Sequence, residues 1–108
     1  MEQIEPPQLS FVFPIFNEEE NIPVLVQRVR KVFSSLSCSC EMILVDDGST
    51  DRSEEFLRTA ANEDNRIKVV LLSRNYGHQI AVSAGMAHAE CTEAAFILDG
   101  DLQDPPEM

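Results

Sequence analysis

Residues 42–51 read MILVDDGSTD, and this stretch joins a buried strand to the start of a helix. Its four leading apolar residues form a run typical of a strand that is covered on both faces. An acidic turn follows, in which Thr50 or Asp51 is the expected N-cap of a helix. Glu54 lies three residues after Asp51, as in a capping box. The stretch therefore predicts a strand, a tight turn and a helix, with carboxylates at the carboxyl end of the strand.

The same alternation extends along the rest of the chain. Apolar runs of strand length occupy residues 9–16, 67–72 and 94–98, and helices are predicted over 22–36, from about 51 to 62, and over 79–89. Strands that alternate with helices form parallel sheets with right-handed crossovers. We therefore predict an α/β fold, a Rossmann-like parallel sheet with flanking helices.

Two local features refine this prediction. Pro14 lies inside the first apolar run and lacks an N–H, so strand pairing is expected to end near the carboxyl end of that strand. The helix over 79–89 is rich in Ala and Gly, which would let it pack closely on the sheet.

Composition excludes several classes of function. The 108 residues include 19 acidic and 8 basic side chains, for a formal net charge of −11. This balance argues against a nucleic-acid partner and against docking on anionic lipid, both of which need clustered Lys and Arg. No apolar run approaches the roughly 20 residues of a membrane span. Cys38, Cys40 and Cys91 are expected to be reduced structural thiols of a cytoplasmic chain.

Polar side chains follow each of the four predicted strands. In open α/β sheets, ligands bind outside the carboxyl ends of the strands, so these loops are expected to converge on one site. The residues are Asn17 and Glu18 after the first strand, Asp46 and Asp47 after the second, Arg74 and Asn75 after the third, and Asp99, Asp101 and Gln103 after the fourth.

Asp99-Gly100-Asp101 carries the clearest chemical signal in these loops. Residues i and i+2 of an extended chain point to the same side, so the two carboxylates share one target. A cation relieves their repulsion, and oxygen ligands favour a hard ion, Mg²⁺ or Mn²⁺. Gln103 offers a further amide oxygen. The alternative is a solvated acidic loop before a proline turn.

Two interpretations of Asp46 and Asp47 stay open at this point. Either they only form the turn, or one of them accepts a hydrogen bond from a nucleobase or ribose. Arg74, a cation within an acidic rim, is a candidate partner for a phosphate or else a surface arginine with a local carboxylate. Together the loops favour a nucleoside diphosphate that carries a transferable group, with a metal ion on the diphosphate.

Four segments carry a family resemblance: FPIFNE at 13–18, VDDGSTD at 45–51, SRNYGHQ at 73–79 and LDGDLQDPPE at 98–107. In this order they resemble family-2 glycosyltransferases of the GT-A fold. The most similar branch is the polyprenyl-phosphate glycosyltransferases, which include dolichyl-phosphate mannosyltransferase and undecaprenyl-phosphate sugar transferases. The resemblance implies an inverting enzyme that transfers a sugar from a UDP- or GDP-sugar to a polyprenyl phosphate.

The resemblance also implies roles for individual residues. It assigns nucleotide binding to Pro14, Phe16, Glu18, Asp46 or Asp47, and Arg74. It assigns binding of the ion, Mg²⁺ or Mn²⁺, to Asp99, Asp101 and Gln103.

The family's GT-A domain is longer than this chain. We therefore expect residues 1–8 to form a flexible tail and residues 9–108 to form the nucleotide-sugar-binding, N-terminal half of a GT-A domain. The acceptor-side catalytic residues are then expected beyond Met108. An uncovered edge of the last strand would favour self-association. The full-length parent is expected to associate with the cytoplasmic face of a membrane.

Two other function classes fit parts of the pattern. A non-catalytic sugar-nucleotide-binding module would bind the donor without turnover. An aspartate-based phosphatase or receiver domain would use an aspartate as phosphoryl acceptor. The phosphatase motif, however, normally follows the first strand, and neither Lys31 nor Lys68 has the position of the receiver lysine.

Overall fold

The computed structural model describes residues 7–98, which form a four-stranded sheet and three helices. The strands are β1 (Leu9–Ile15), β2 (Cys40–Asp46), β3 (Ile67–Leu71) and β4 (Ala94–Ile97), and the helices are α1 (Ile22–Ser35), α2 (Ser53–Glu63) and α3 (His78–His88). Strands and helices alternate along the chain, as the hydrophobic pattern predicts.

The sheet is parallel throughout, with the strand order β3-β2-β1-β4. The two central strands, β1 and β2, pair from Leu9–Cys40 to Ile15–Asp46. Helices α1 and α2 pack on one face of the sheet, and α3 packs on the other. The predicted α/β class and parallel sheet with flanking helices are therefore confirmed.

The cores on the two faces differ in size. On the α1–α2 face, large side chains such as Phe13, Leu25 and Leu57 are fully buried. The core under α3 is small and centres on Val12, with Ile43, Val45 and Ala81 around it. A β carbon on Gly85 of α3 would lie only 2.5 Å from Cγ1 of Val12. This contact confirms that small residues bring α3 close to the sheet.

Pro14 lies inside β1, with its missing N–H on the β4 side. Val12 accepts a hydrogen bond from Leu98 and Ile15 accepts one from Asp47, so alternate residues of β1 face β4 and β2. Pairing with β4 ends two residues before Pro14, whereas pairing with β2 continues to Ile15. Pairing therefore ends near the carboxyl end of β1, as predicted, and it ends earlier on the β4 side, where Pro14 lacks its N–H.

A buried carboxylate joins the strands near their amino ends. Glu41 of β2 is 4% exposed, accepts hydrogen bonds from the Ser10 hydroxyl and the Glu90 N–H, and lies 2.7 Å from Nζ of Lys68. Burial would raise the pKa of Glu41, but the hydrogen bonds from Glu90, Lys68 and Ser10 together hold that pKa below its ordinary value. These contacts tie three strands to the segment after α3.

Pro7 and Gln8 belong to the folded unit, which corrects the prediction of a flexible tail over residues 1–8. The Pro7 carbonyl accepts a hydrogen bond from Thr92 N at 2.9 Å, and Gln8 N donates to the Ser39 carbonyl at 3.0 Å. Residues 1–6 lie outside the described part of the chain.

Helix α2 has Arg52 as its N-cap, so the prediction of Thr50 or Asp51 was wrong. Asp51 accepts a hydrogen bond from Ser53 N at 2.9 Å, which forms a turn just before the helix. It also accepts one from Glu19 N at 3.3 Å. Burial would raise the pKa of Asp51, but these bonds lower it. Asp51 therefore links the start of α2 to the loop after β1.

The three cysteines are free thiols, as the sequence predicts. Burial is the main cause that raises the pKa of Cys40 to about 11, and the neighbouring Cys38 adds to it. Because the thiolate is the reactive form, Cys40 is expected to be unreactive at neutral pH.

Candidate functional site

An open cleft of about 470 Å³ lies at the carboxyl edge of the sheet, between the β2–α2 turn and the β3–α3 loop. It is lined by Phe16 after β1, by Asp46, Gly48, Ser49 and Thr50 of the turn, by Glu54 of α2, and by Leu72, Ser73, Arg74 and Asn75 after β3. Residues after three strands thus line one cleft, although after β1 the lining residue is Phe16 and not the predicted Asn17 or Glu18.

Asn17 joins the loop after β1 to the β2–α2 turn. Its side-chain oxygen accepts hydrogen bonds from Thr50 N at 2.8 Å and Asp51 N at 3.3 Å, and its N–H donates to Ser49 Oγ at 2.9 Å. Its φ of +50° is a left-handed conformation that asparagine adopts more readily than most residues. These bonds hold the neighbouring Phe16 at the edge of the cleft.

Asp46 is a buried carboxylate in the cleft wall. Its Oδ1 accepts a hydrogen bond from Ser49 N at 3.0 Å, which shapes the turn. Its carbonyl accepts a hydrogen bond from Leu72 N at 2.9 Å, which ties the end of β2 to the chain after β3. Asp46 is therefore fixed by both flanking loops.

Asp47 binds the residues that precede α3. Its Oδ1 accepts a hydrogen bond from Tyr76 N at 2.8 Å and its Oδ2 accepts one from Gly77 N at 3.0 Å. A carboxylate near the start of a helix is also favoured by the helix dipole. Asp47 is thus a link between β2 and the β3–α3 loop.

Gly48 lets that loop lie directly against the β2–α2 turn. Its φ is +71°, and a β carbon at this position would lie 2.2 Å from the carbonyl carbon of Arg74. The Arg74 guanidinium lies 4.9 Å from the centre of the Tyr76 ring, and the Tyr76 hydroxyl is hydrogen-bonded to Ser73 Oγ at 3.1 Å. The loop therefore holds Arg74 at the cleft.

The lining described here carries more negative than positive charge. Asp46 and Glu54 contribute carboxylates, and Arg74 contributes the cation among the described lining residues. Glu54 is also 2.9 Å from Nε of Arg58 on the next turn of α2. A polyanion that enters this cleft meets Arg74 on one side and carboxylates on the other.

The predicted nucleotide-binding residues divide into two groups. Phe16, Asp46 and Arg74 line the cleft. The other three do not line it. Pro14 lies inside β1, and Glu18 accepts a hydrogen bond from Asn21 Nδ2 at 2.8 Å. Asp47 accepts hydrogen bonds from the loop before α3.

The predicted metal ligands Asp99, Asp101 and Gln103 lie outside the described residues. Leu98, the last described residue, donates a hydrogen bond to the Val12 carbonyl at 2.9 Å, next to the carboxyl edge of the sheet. Within residues 7–98, no group of three or more His, Cys, Asp or Glu side chains is arranged to hold a metal ion.

Sequence reasoning missed two contributors to this site. It assigned Glu54 only to a helix cap, although the first turn of a helix that starts at the site can also face a ligand. It included Asn17 only as a polar residue after β1, and the contacts that anchor the β2–α2 turn come from residues more than 30 positions away. Over the part of the chain that the structure describes, no helix is both long and apolar enough to span a membrane.

Comparison with known proteins gives a consistent family. The family model described as "Glycosyl transferase family 2" matches residues 10–108. The glycosyltransferase YkcC of Bacillus subtilis (strain 168) is 46% identical over 101 residues, which cover 94% of this chain and 31% of YkcC. The undecaprenyl-phosphate 4-deoxy-4-formamido-L-arabinose transferase of Proteus mirabilis (strain HI4320) is also 46% identical over 101 residues, or 93% of this chain and 31% of that protein. The chain thus spans about a third of these relatives.

Solved structures share the fold. S. aureus TarS superposes with a TM-score of 0.72 at 26% identity, over 87% of this chain and 16% of TarS. The mannosyltransferase PcManGT of Pyrobaculum calidifontis, solved with GDP-Man and Mn²⁺, superposes with a TM-score of 0.66 at 20% identity, over 90% of this chain and 28% of PcManGT. Because the family model covers residues 10–108 and the parallel sheet matches these structures, the chain belongs to glycosyl transferase family 2 and has the GT-A fold.

Proposed function

We propose that this chain is the donor-binding part of an inverting glycosyltransferase that transfers a sugar from a UDP- or GDP-sugar to a polyprenyl phosphate. The observation that carries the proposal is the cleft at the carboxyl edge of the sheet, where Asp46, Phe16 and Arg74 meet. Relatives named as undecaprenyl-phosphate sugar transferases support the acceptor class. By the same reasoning, the full protein acts at the cytoplasmic face of a membrane, where such a lipid phosphate would be reached.

The three cleft residues suit different parts of a nucleotide. The Asp46 carboxylate can accept a hydrogen bond from a base N–H or a ribose hydroxyl. Phe16 is 42% exposed, so its ring offers an apolar surface for the base or ribose. Arg74 presents a planar guanidinium, which suits a phosphate oxygen. A nucleoside diphosphate would therefore bind with its base near Asp46 and Phe16 and its diphosphate near Arg74.

A divalent ion fits this charge distribution. The described lining has two carboxylates, Asp46 and Glu54, so a bare diphosphate is repelled on one side. We propose that Asp99, Asp101 and Gln103 hold Mg²⁺ or Mn²⁺. When bound, such an ion neutralises diphosphate charge and stabilises the leaving group. TarS bound to UDP and PcManGT bound to GDP-Man and Mn²⁺ are compatible with this choice of ligand classes.

The reaction is a single displacement at the anomeric carbon. A phosphate oxygen of the acceptor forms the new bond to that carbon while the bond to the diphosphate oxygen breaks, and the nucleoside diphosphate leaves with the electron pair. The second pKa of a phosphate monoester is about 6, so the acceptor is largely ionised at pH 7 and needs no strong general base. The part of the chain described here positions the donor.

Calorimetry with the 108-residue chain tests donor binding. UDP and GDP are titrated with Mn²⁺, with Mg²⁺ and with EDTA. We expect one diphosphate to bind with the ion present and about tenfold or more weakly in EDTA. Asp46→Asn should weaken that binding by about tenfold, because a charge-assisted hydrogen bond contributes ~1.5–3 kcal/mol. Glu55→Gln, an exposed change on the outer side of α2, is the matched control.

Two results would contradict the proposal. Equal affinity for the diphosphate in EDTA and in Mn²⁺ would show that the ion has no role in binding. If neither UDP nor GDP binds, the cleft is not a nucleotide site. Transfer itself is tested with the full-length protein, a panel of UDP- and GDP-sugars and a short-chain polyprenyl phosphate, by mass spectrometry of the lipid. Donor binding without any glycolipid product would favour a non-catalytic sugar-nucleotide-binding module.

A further inference from the structure

Two cysteines flank Ser39 at the start of β2, near the amino edge of the sheet. Cys40 is 8% exposed and Cys38 is half-buried, and both carry free thiols. The Cys40 thiol donates a hydrogen bond to the Cys38 carbonyl at 3.6 Å, so its sulfur is turned back toward Cys38. Burial raises the pKa of Cys40 and the Cys38 thiol adds to that rise, as expected of adjacent sulfurs. Two sulfur donors therefore lie side by side.

Ser39, between the two cysteines, is fixed by the residues that lead into β1. Gln8 N donates hydrogen bonds to the Ser39 carbonyl at 3.0 Å and to Ser39 Oγ at 3.1 Å, and Ser39 N donates to Gln8 Oε1 at 3.4 Å. Leu9 N donates a further bond to the Ser39 carbonyl at 3.2 Å. Because this backbone is already held, the cysteines on either side lose little conformational freedom when they bind a common ligand.

Both cysteines line an open cavity of about 730 Å³ near the amino ends of β2 and β3. Arg66 and Lys68 of the neighbouring chain segment line the same cavity. A small ligand can therefore reach the two cysteines from solvent, and it meets cationic side chains beside them.

The carboxylates of this cavity are already used by the protein. Glu41 accepts hydrogen bonds from the Ser10 hydroxyl and the Glu90 N–H and lies 2.7 Å from Nζ of Lys68. The Glu90 carboxylate is paired with the same Lys68 ammonium. Within residues 7–98, no three His, Cys, Asp or Glu side chains are grouped to hold a metal ion. The cavity thus offers two soft sulfur donors without the four ligands of a structural zinc site.

We propose that Cys38 and Cys40 form a two-sulfur site for a soft monovalent metal ion such as Cu(I). Thiolates are the ligands that such an ion prefers, and Cu(I) is satisfied by two of them in a linear arrangement. Each thiol gives up its proton as its sulfur binds the ion, so two protons are released and no atom is oxidised or reduced. The bound group carries a single negative charge, and Arg66 in the same cavity lowers the cost of that charge.

Competition with bicinchoninate tests this site without oxygen and with ascorbate as the reductant. The 108-residue chain is titrated into the coloured Cu(I)–bicinchoninate complex, and the loss of absorbance measures transfer of the ion to the protein. We expect the wild type to withdraw a single Cu(I) per chain, and Cys38→Ser and Cys40→Ser each to bind it about hundredfold more weakly. Cys91→Ser is the matched control and should bind like the wild type, because Cys91 is not among the described residues that line the cavity.

Alkylation locates the bound ion independently of affinity. N-ethylmaleimide is added with and without Cu(I), and mass spectrometry of peptides measures the modification of each cysteine. Cu(I) should protect Cys38 and leave Cys91 as reactive as in the metal-free protein. Protection of Cys91 alone, or no protection of Cys38, would overturn the inference.

Further outcomes separate this site from general thiol chemistry. Failure of the wild type to take Cu(I) from bicinchoninate, or equal losses in all three serine variants, would overturn the inference. X-ray absorption of the loaded protein should show two sulfur neighbours around copper, and oxygen or nitrogen ligands would contradict the two-sulfur site. If Cys40→Ser does not fold by circular dichroism, Cys38→Ser at the half-buried position decides. These results do not depend on nucleotide binding, since the proposed nucleotide cleft lies at the opposite edge of the sheet.

Discussion

Gly85 of α3 lies so close to Val12 of β1 that a β carbon on residue 85 would come within 2.5 Å of the Val12 Cγ1. The same β carbon would lie 2.9 Å from Cγ2 of Val45 on β2. Both valines are fully buried, so neither can rotate away freely. The spacing between α3 and the sheet therefore depends on the absence of a side chain at position 85.

Gly85→Ala should destabilise the fold. The higher helix propensity of alanine contributes about 1 kcal/mol in favour, but overpacking of a full core costs about 1–3 kcal/mol. We expect the free energy of unfolding to fall by about 1 kcal/mol, measured by urea denaturation. Adding Val12→Ala removes the closer of the two clashes, so Gly85→Ala should cost less in that background, while the contact with Val45 remains. Ser83→Ala on the exposed side of α3 is the control and should not destabilise.

Asp64 should make stability depend on pH in the acid range. The Arg66 side chain donates hydrogen bonds to its carboxylate, and this is the main cause that lowers the pKa of Asp64 to about 2 from an ordinary value of 3.8. The folded pKa is the lower one, so the stabilisation is complete above about pH 4 and disappears as the pH falls through 2.

The size of this effect follows from the shift in the pKa. Arg66 and Arg30 are partly exposed, and we therefore expect the carboxylate to contribute about 1–2 kcal/mol. The difference in unfolding free energy between wild type and Asp64→Asn should be about 1–2 kcal/mol at pH 6 and near zero at pH 2. Urea denaturation across this range measures it, with Glu20→Gln as an exposed control. A difference that stays constant with pH would show that charge is not the cause.

Glu41 should be more important for stability than an exposed carboxylate at the same edge. Glu41→Ala leaves the Ser10 hydroxyl and the Glu90 N–H without their acceptor and Lys68 without its buried partner. We expect a loss of about 2–3 kcal/mol. Glu41→Gln keeps an acceptor oxygen and should lose less, and Glu93→Ala should lose under about 0.5 kcal/mol. Equal losses for Glu41→Ala and Glu93→Ala would contradict a structural role for the buried network.

Asp101 should matter for metal-dependent binding of the nucleotide, and Asp104 should not. Asp101→Asn removes one of two carboxylates proposed to hold the ion, so affinity for UDP or GDP in Mn²⁺ should fall by about tenfold or more. Asp104→Asn removes the same charge from the same segment and should change affinity by less than about twofold. Calorimetry at several Mn²⁺ concentrations compares the two variants. Equal losses would point to general charge instead of a metal ligand.

Local sequence was sufficient for the elements of the fold. The run Met42–Val45 has no competing helical period. The observed strand β2 is longer than the predicted one by two residues at its start and one at its end. The rule that sites lie at strand carboxyl ends also located the cleft, with Phe16, Asp46 and Arg74 on it. The predictions of strands and helices succeed because hydrophobic period and turn residues are properties of neighbouring positions, whereas nucleotide binding at the cleft stays a prediction.

The N-cap of α2 and the Glu41 network could not be predicted from local sequence. Asp51 has the spacing of a capping residue, but its carboxylate also bonds to Glu19 N, 32 positions earlier in the chain. Ser10, Glu41 and Lys68 are far apart in sequence and meet because β1, β2 and β3 lie side by side. No local signal encodes a contact that depends on which strands become neighbours.

Asp46 and Asp47 are adjacent in sequence, but their different contacts depend on tertiary structure. The sequence by itself determined that a pair of carboxylates lies at the carboxyl end of β2, the edge at which open α/β sheets bind ligands. It could not determine their separate hydrogen-bond partners, because these depend on which loops pack beside the end of β2. Only the packed structure, with α1 and α2 on one face and α3 on the other, directs Asp46 to the cleft and Asp47 to the start of α3.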